Sequence, residues 1–296
     1  MKTPAVRSIQ MLALLIASGL AASARAETKL TAQVFTASPQ GFLVTSTLIA
    51  GEKEAVLIDG QFTLSDAHRL VGMILESKKT LTTVYVTHDH PDHYFGLVVI
   101  KQAFPKVKVV AQPATVAQIK KTWAEKVKHW GPMYGANLPT KPLIPEPFAG
   151  TSLTLEGQTI EVHGNVQGDD ATNSYVWIPS LKTVIAGDTV FQGIFPWTAE
   201  TNTASRAAWS KTLDALAALG ASTVIAGHKE PSFKDDATGL TTTKAYLKDF
   251  DEAASSSKSA AELQAKMKAK YPKLAMDIVL QIGAGAQFPA AADGAR

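Results

Sequence analysis

The sequence predicts an α/β layered fold, sheets inside and helices outside, on three observations. Short β-branched runs alternate with stretches of helical periodicity in both halves of the chain. Hydrophobic residues make up 46% of the 296 and charged residues 19%, a globular balance with ample material for a core. Polar motifs sit at the ends of predicted strands in both halves, which argues for a single domain over residues 27–288.

Residues 1–26 read as a signal peptide. Lys2 and Arg7 form a basic start, Met11–Ala22 an apolar run, and Ala24-Arg25-Ala26 a small-x-small cleavage pattern. The run falls short of the ~20 apolar residues of a spanning helix, and polar Glu27-Thr28-Lys29 follows it. Cleavage and a periplasmic or secreted protein are therefore expected over an uncleaved N-terminal anchor, with no stable membrane insertion afterwards. The formal net charge of +3 comes from Lys2, Arg7 and Arg25, so the mature chain is neutral. A neutral chain without a basic block lacks the electrostatic footprint of a nucleic-acid binder. The absence of cysteine excludes thiol nucleophiles, thiolate zinc sites and disulfides, leaving the core or bound metal to supply stability.

The elements follow in order. Leu30–Thr36, Phe42–Ala50 and Glu54–Ile58 read as strands, the last ending in Asp59-Gly60. Leu64–Lys78 has helical spacing at Leu70, Met73 and Ile74, with Ser65 as its expected N-cap. Leu81–Thr87 is a buried-strand pattern that runs straight into His88. Phe95–Phe104 reads as helix, Val107–Ala111 as strand, and Pro113 to about His129 as helix with Pro in its first turn. A Pro/Gly/aromatic loop spans Trp130–Gly150. Strand patterns follow at Ser152–Leu155, Thr159–His163, Ser174–Ile178 and Thr183–Ala186, then a helix at Ala204–Leu219 and a strand at Ser222–Ala226. Residues 236–288 read as Ala/Lys-rich C-terminal helices broken at Pro272, expected to pack on the core by one apolar stripe. Residues 289–296 are expected to be a flexible tail.

Three of the seven histidines fall in one hexapeptide, His88-Asp89-His90-Pro91-Asp92-His93. Pro91 would break a helix through the cluster, which places it in a loop at the C-terminal end of the Leu81–Thr87 strand, where open α/β sheets present their ligands. Imidazoles and carboxylates this dense repel one another unless a divalent cation neutralises them, and Zn²⁺ accepts both N and O ligands. The alternative is a solvated polar loop. Two further strands end in Gly187-Asp188 and Gly227-His228, each delivering a metal-competent side chain directly after a glycine. His68 and His129 lie in helical patterns and read as surface residues.

The pattern His88-x-His90-x-Asp92-His93, followed by Gly187-Asp188 and Gly227-His228, resembles the metallo-β-lactamase-fold hydrolase superfamily. The resemblance covers the chain to about residue 235. It implies a four-layer αββα sandwich, here with a C-terminal helical extension, and a binuclear metal site at the sheet edge. By position, His88 and His90 would bind a first metal and Asp92, His93 and His228 a second, with Asp188 bridging. The pair would be two Zn²⁺, with Fe or Mn as alternatives, and a metal-held hydroxide would be the nucleophile. Asp59 resembles the carboxylate that orients a ligating histidine in this family, its other reading being a plain turn residue.

One position departs from the family. The third histidine of the first metal is missing, and Gly168-Asp169-Asp170 stands where it belongs. Asp169 is the expected replacement, with Asp170 and His163 as alternatives. A carboxylate ligates zinc, so the expectation is a surviving site with a harder ligand set. A site weakened into a mononuclear or inactive centre is the other outcome.

Asp188 is closer to the ester, lactone and thioester hydrolase branches than to the zinc β-lactamases, which tend to have Cys or Ser there. Two aromatic loops are expected over the metals, Trp130–Phe148 (Trp130, Met133, Tyr134) and Phe191–Trp197 (Phe191, Phe195, Trp197), unless their rings simply pack in the core. The expected protein is an exported metallo-hydrolase of a small acyl substrate, with Asp92 and Asp188 as catalytic carboxylates. Alternatives are β-lactam hydrolysis, an iron-dependent oxidoreductase of the same fold, and a non-catalytic metal-binding protein.

Overall fold

The computed structural model describes residues 29–288. The expected signal peptide at 1–26 and the expected tail at 289–296 lie outside the described residues. One sheet runs β1 (Thr31–Thr36), β2 (Thr45–Ala50), β3 (Glu54–Ile58), β4 (Thr80–Val86), β5 (Lys108–Ala111) and β6 (Glu146–Pro147) in spatial order. Its first two pairings are antiparallel and the rest parallel. The second sheet is built from β7 (Ser152–Leu155), β8 (Gln158–Val166), β9 (Asn173–Ile178) and β10 (Thr183–Ile185). A parallel edge strand also joins β10. Two short strands, β11 (Phe191–Gln192) and β13 (His228–Lys229), pair parallel beside it, and the edge strand is β12 (Thr223–Ile225).

Period-two alternation decides which face of each strand is buried where. Ile49, Val56, Ile58 and Tyr85 point inward and meet Ile160, Val162, Val176, Ile178 and Ile185 of the second sheet. Leu48, Leu57, Val84 and Val86 point outward, under α1 (Leu64–Glu76), α2 (Pro91–Tyr94), α3 (Leu97–Ala103) and α4 (Pro113–Tyr134). On the far side α5 (Thr203–Ala218) lays Trp209, Leu213 and Leu216 on Val184 and Val224. The result is the αββα sandwich. The C-terminal extension is α6 (Thr238–Ser255), α7 (Ala260–Lys270) and α8 (Asp277–Gln287), which bury Tyr246, Phe250, Leu263, Met267 and Leu280 around Phe195. Among the described residues no helix is long and apolar enough to cross a membrane.

Local chemistry shifts several boundaries. β2 begins at Thr45 rather than Phe42, because Phe42 and Leu43 take left-handed φ values of 58° and 56°. The cap of α1 is Thr63, not Ser65: its hydroxyl accepts from the Asp66 amide at 3.1 Å. The histidine cluster is not wholly a loop, since Pro91 opens the short helix α2 from its first position, where its missing N–H costs nothing. The helix expected from Phe95 is α3, starting at Leu97 after Gly96. α4 continues through Trp130 to Tyr134, so the loop begins a turn later than expected. Trp130 and Tyr134 are held there by Phe62 and Trp130 also by Phe42, with ring centroids 4.9–5.7 Å apart.

Candidate metal centre

Four strand ends deliver the cluster to one edge of the sandwich. β4 runs into His88 and His90, and α2 turns Asp92 and His93 back toward them. The turn after β10 carries Asp188, and β13 opens with His228. Asp169 and Asp170 lie on the turn between β8 and β9. Glycine makes the close approach possible: a Cβ at Gly227 would stand 2.1 Å from the Asp188 carboxylate.

The donor atoms converge in overlapping groups. Ligand atoms of His88, His90, Asp169 and Asp170 lie within 4.8 Å of one another, as do those of His88, His93 and Asp188, and those of Asp92, His93 and His228. Asp188 stands in the middle, 3.1 Å from His93 Nε2, 3.2 Å from His228 Nε2 and 3.8 Å from His88 Nε2. Asp92 faces His228 Nε2 at 3.2 Å. Asp169 faces His90 Nδ1 at 2.9 Å, and its other oxygen accepts from Asn173 Nδ2. All seven expected donors, His88, His90, Asp92, His93, Asp169, Asp188 and His228, therefore meet, with Asp170 beside Asp169. His163 does not: it is half-exposed on β8, paired with Glu161 and stacked on Tyr175.

The outer nitrogens are tied down, which leaves the inner ones aimed at the cluster. His93 Nδ1 contacts Asp59 Oδ2 at 2.8 Å, and Asp59 also accepts from the Thr87 amide and hydroxyl. Asp59 thus orients a histidine, in a left-handed turn conformation with φ 64°. His228 Nδ1 donates to the Phe42 carbonyl at 2.7 Å, and its ring stacks on Phe191. His88 Nδ1 meets the Thr87 hydroxyl at 3.0 Å, and His90 Nε2 meets Glu200 at 3.1 Å.

These donors fit cations. His88 Nε2 is buried with no hydrogen-bond partner, while His93 Nε2 and Asp188 Oδ1 face only each other and Asp169 Oδ2 faces only His90 Nδ1, none in good hydrogen-bond geometry, an expensive arrangement unless an ion accepts their lone pairs. Electrostatics point the same way. Burial pulls His228 down, but Asp188 and Asp92 outweigh it and push the ring up to about 10. His90 and His93 are likewise held well above the usual histidine range against burial, by Asp169 and Glu200 in one case and by Asp188 and Asp59 in the other. The carboxylates thus demand positive charge, supplied by protons or by metal. His88 alone is pushed well below its usual range, by burial and by repulsion from His93, so it stays neutral and ligand-ready.

Above the cluster is a cavity of about 470 Å³. Its floor is His90, Asp92, Asp188 and His228, and its walls include Phe42, Phe62, Trp130, Phe191 and Trp197. The two aromatic loops divide between the expectations. Trp130, Phe191 and Trp197 line the cavity, whereas Met133 is 71% exposed and Phe195 is buried in the C-terminal core. Tyr134 supports from behind, packing on Phe62 and donating to the Gln40 carbonyl. His129 is exposed, as expected, and stands at the cavity rim.

Several residues here gave no sequence signal. Glu200 sits in an ordinary polar stretch, Phe42 read only as the start of a strand, and no pattern marked Phe62. Lys126 pairs with Asp89 at 2.6 Å; although burial opposes ionisation, Lys126 holds that carboxyl down at about 2. Only the Asp89 position within the histidine hexapeptide was conspicuous beforehand.

The sequence profile of the metallo-beta-lactamase superfamily matches residues 39–228, and the chain belongs to that superfamily. The metallo-beta-lactamase family protein TTHA1429 from Thermus thermophilus is similar in fold. Its TM-score is 0.63 at 20% identity, over 87% of this chain and 91% of that one. DIM-1 metallo-beta-lactamase gives 0.54 at 21% identity, over 74% of this chain and 92% of that one. A variant of the sec-alkyl sulfatase PisA1 gives 0.57 at 16% identity, over 83% of this chain and 47% of that one. At these identities the likeness is one of fold. No curated protein sequence matches the chain.

Proposed function

We propose that this protein is an exported, binuclear zinc hydrolase of an ester, lactone or related acyl compound carrying an apolar group. The observation that carries the reading is a buried cluster of histidines and carboxylates forming the floor of an apolar cavity. His88, His90 and Asp169, with Asp170 in reach, would hold one ion, and Asp92, His93 and His228 the other, with Asp188 between them. Bound there, divalent ions would polarise the scissile carbonyl and make water acidic enough to attack near neutral pH. The chain's own residues do the rest. Asp59, Thr87 and the Phe42 carbonyl fix the rings of His93, His88 and His228. The aromatic walls exclude bulk water and seat the apolar part of the substrate beside the cluster. Asp92, partly exposed at the cavity floor, would orient the attacking water from its pairing with His228, and Asp188, in contact with His88, His93 and His228, would hold the two halves of the cluster together. The leader pattern of residues 1–26 supports periplasmic or secreted location.

The test is a rate panel of p-nitrophenyl alkanoates, lactones and nitrocefin on zinc-loaded protein. Acyl turnover that disappears on chelation and returns with zinc is the expected result. Nitrocefin turnover exceeding that of every ester and lactone would move the assignment to β-lactams, and no metal-dependent turnover of any would remove the hydrolase reading.

A further inference from the structure

The segment that matches the superfamily ends at His228, but the cavity over the donor cluster does not. Val279 and Ile282, one helical turn apart on α8, complete its wall. Leu280 and Ala284, on another face of the same helix, are buried in the C-terminal core against Tyr246, Phe250, Leu263 and Met267. α8 therefore has two apolar jobs: Leu280 and Ala284 anchor it, Ile282 borders the cavity, and Val279 contributes to both.

Its seat is fixed by hydrogen bonds as well as by packing. Gln287 Nε2 donates to the carbonyls of Thr198 and Thr201 at 3.4 and 3.5 Å. Buried Arg206 donates to Gln287 Oε1 at 3.3 Å, to Thr201 Oγ1 at 2.9 Å and to Asp251 at 2.8 Å. Gly283 packs so closely that a Cβ there would stand 2.3 Å from Thr198 Oγ1. α8 is thus bolted to the loop carrying Trp197 and Glu200. A wall held at this many points keeps its position, so the volume of its side chains sets the length of the cavity.

We propose that α8 sets how long an acyl group the site accepts, with Ile282 and Val279 as specificity-determining residues. The assignment rests on the acyl-hydrolase reading and gives the C-terminal extension a role beyond packing. Substrates of the class are linear or singly branched acyl compounds whose alkyl part runs from the donor cluster past Phe191 and Trp197 to α8.

The experiment measures binding of linear alkanoates, butanoate to dodecanoate, to zinc-loaded full-length protein through the fluorescence of Trp130 and Trp197. In wild type, affinity should rise about fourfold per methylene until the chain meets the wall, then level off. Ile282→Trp should bring that break forward by several carbons and weaken the longest chains at least tenfold, while Ile282→Ala should move it to longer chains. Ile278→Trp, on the exposed face of α8, should leave both profile and zinc content unchanged. A break that stays at the wild-type length in both Ile282 variants overturns the role of α8 alone. Wild-type protein that binds zinc but no alkanoate of any length overturns the acyl reading itself.

Discussion

The two halves of the donor cluster are built to different standards. Around Asp92, His93 and His228 the supports are buried: Asp59 holds His93, and the Phe42 carbonyl and Phe191 ring hold His228. Around His88, His90 and Asp169 the Thr87 hydroxyl that meets His88 is as well buried, but the partner of His90 is not. Glu200, which meets His90, has a side chain 53% exposed, and Asp169 is held by one amide, from Asn173. The departure from the superfamily's histidine pattern falls in this second half. The ligand exchange falls on the side whose supports are more exposed, while the side of Asp92, His93 and His228 keeps its histidines tied to Asp59 and to the Phe42 carbonyl.

The strongest way to break the comparison is to remove a carboxylate from each half. Asp188→Ala should strip metal from both subsites and reduce turnover to background. Asp169→Ala should empty only its own half and leave one ion per chain, as read by plasma mass spectrometry. Equal losses from the two variants would mean that the halves are not separable. Next in size are the supporting carboxylates. Asp59→Ala should weaken metal binding at its subsite by about 10–100-fold, the usual worth of a group orienting a ligating histidine. Glu200→Ala should cost about tenfold or less, because its exposed carboxylate competes with water. Competition titration against a chromophoric chelator resolves the two, and an equal or larger loss for Glu200→Ala would reverse the ranking.

The smallest effect tests how the better-built half is anchored to the fold. Asp66 accepts from Ser38 and Thr63 and ties the Ser38–Phe42 turn, whose last carbonyl holds His228, to the start of α1. Burial opposes ionisation of Asp66, but these hydrogen bonds and Arg69 prevail and hold its pKa below the usual carboxylate value. A depressed folded-state pKa stabilises the protein above the unfolded value and loses that contribution as pH falls through the folded one. Asp66→Asn should therefore destabilise the protein by about 1–3 kcal/mol at neutral pH. The gap from wild type should close as pH drops below about 4. Urea unfolding at neutral pH and near pH 3 checks this, and a gap independent of pH would show that the charge is not what matters.

Strand and helix order was legible in the sequence because period-two and helical patterns act locally. β3 falls where its apolar run places it and β7 where its alternation does, and the strands before His88, Asp188 and His228 end within a residue or two of their expected limits. Boundaries failed where one side chain competes with its neighbour, as Thr63 does with Ser65 at the α1 cap. They also failed where distant rings extend an element, as Phe42 and Phe62 do for α4 at Trp130.

The candidate site divides along the same line. His88, His90, Asp92, His93, Asp188 and His228 could be named from spacing, since they lie close in sequence or follow a strand and a glycine. Asp169 could be favoured over Asp170 and His163 only from its place relative to the superfamily's missing histidine, not from the geometry that brings it to the cluster. That geometry depends on the turn between β8 and β9, which carries both aspartates to His90 and leaves His163 outside against Tyr175. Glu200, the Phe42 carbonyl and the α8 wall were likewise beyond reach, because each acts on a residue many positions away.

By itself, then, the sequence determined the layered α/β class and the identity of most donors, since both are written in local periodicity and in residue types that few other chemistries use together. The tertiary structure decided which nitrogen of each histidine faces the cluster, that the Asp169–Asp170 pair and not His163 joins it, and that the C-terminal helices close the cavity. Those depend on hydrogen bonds and packing between segments far apart in the chain, and such contacts leave no periodic mark on either partner.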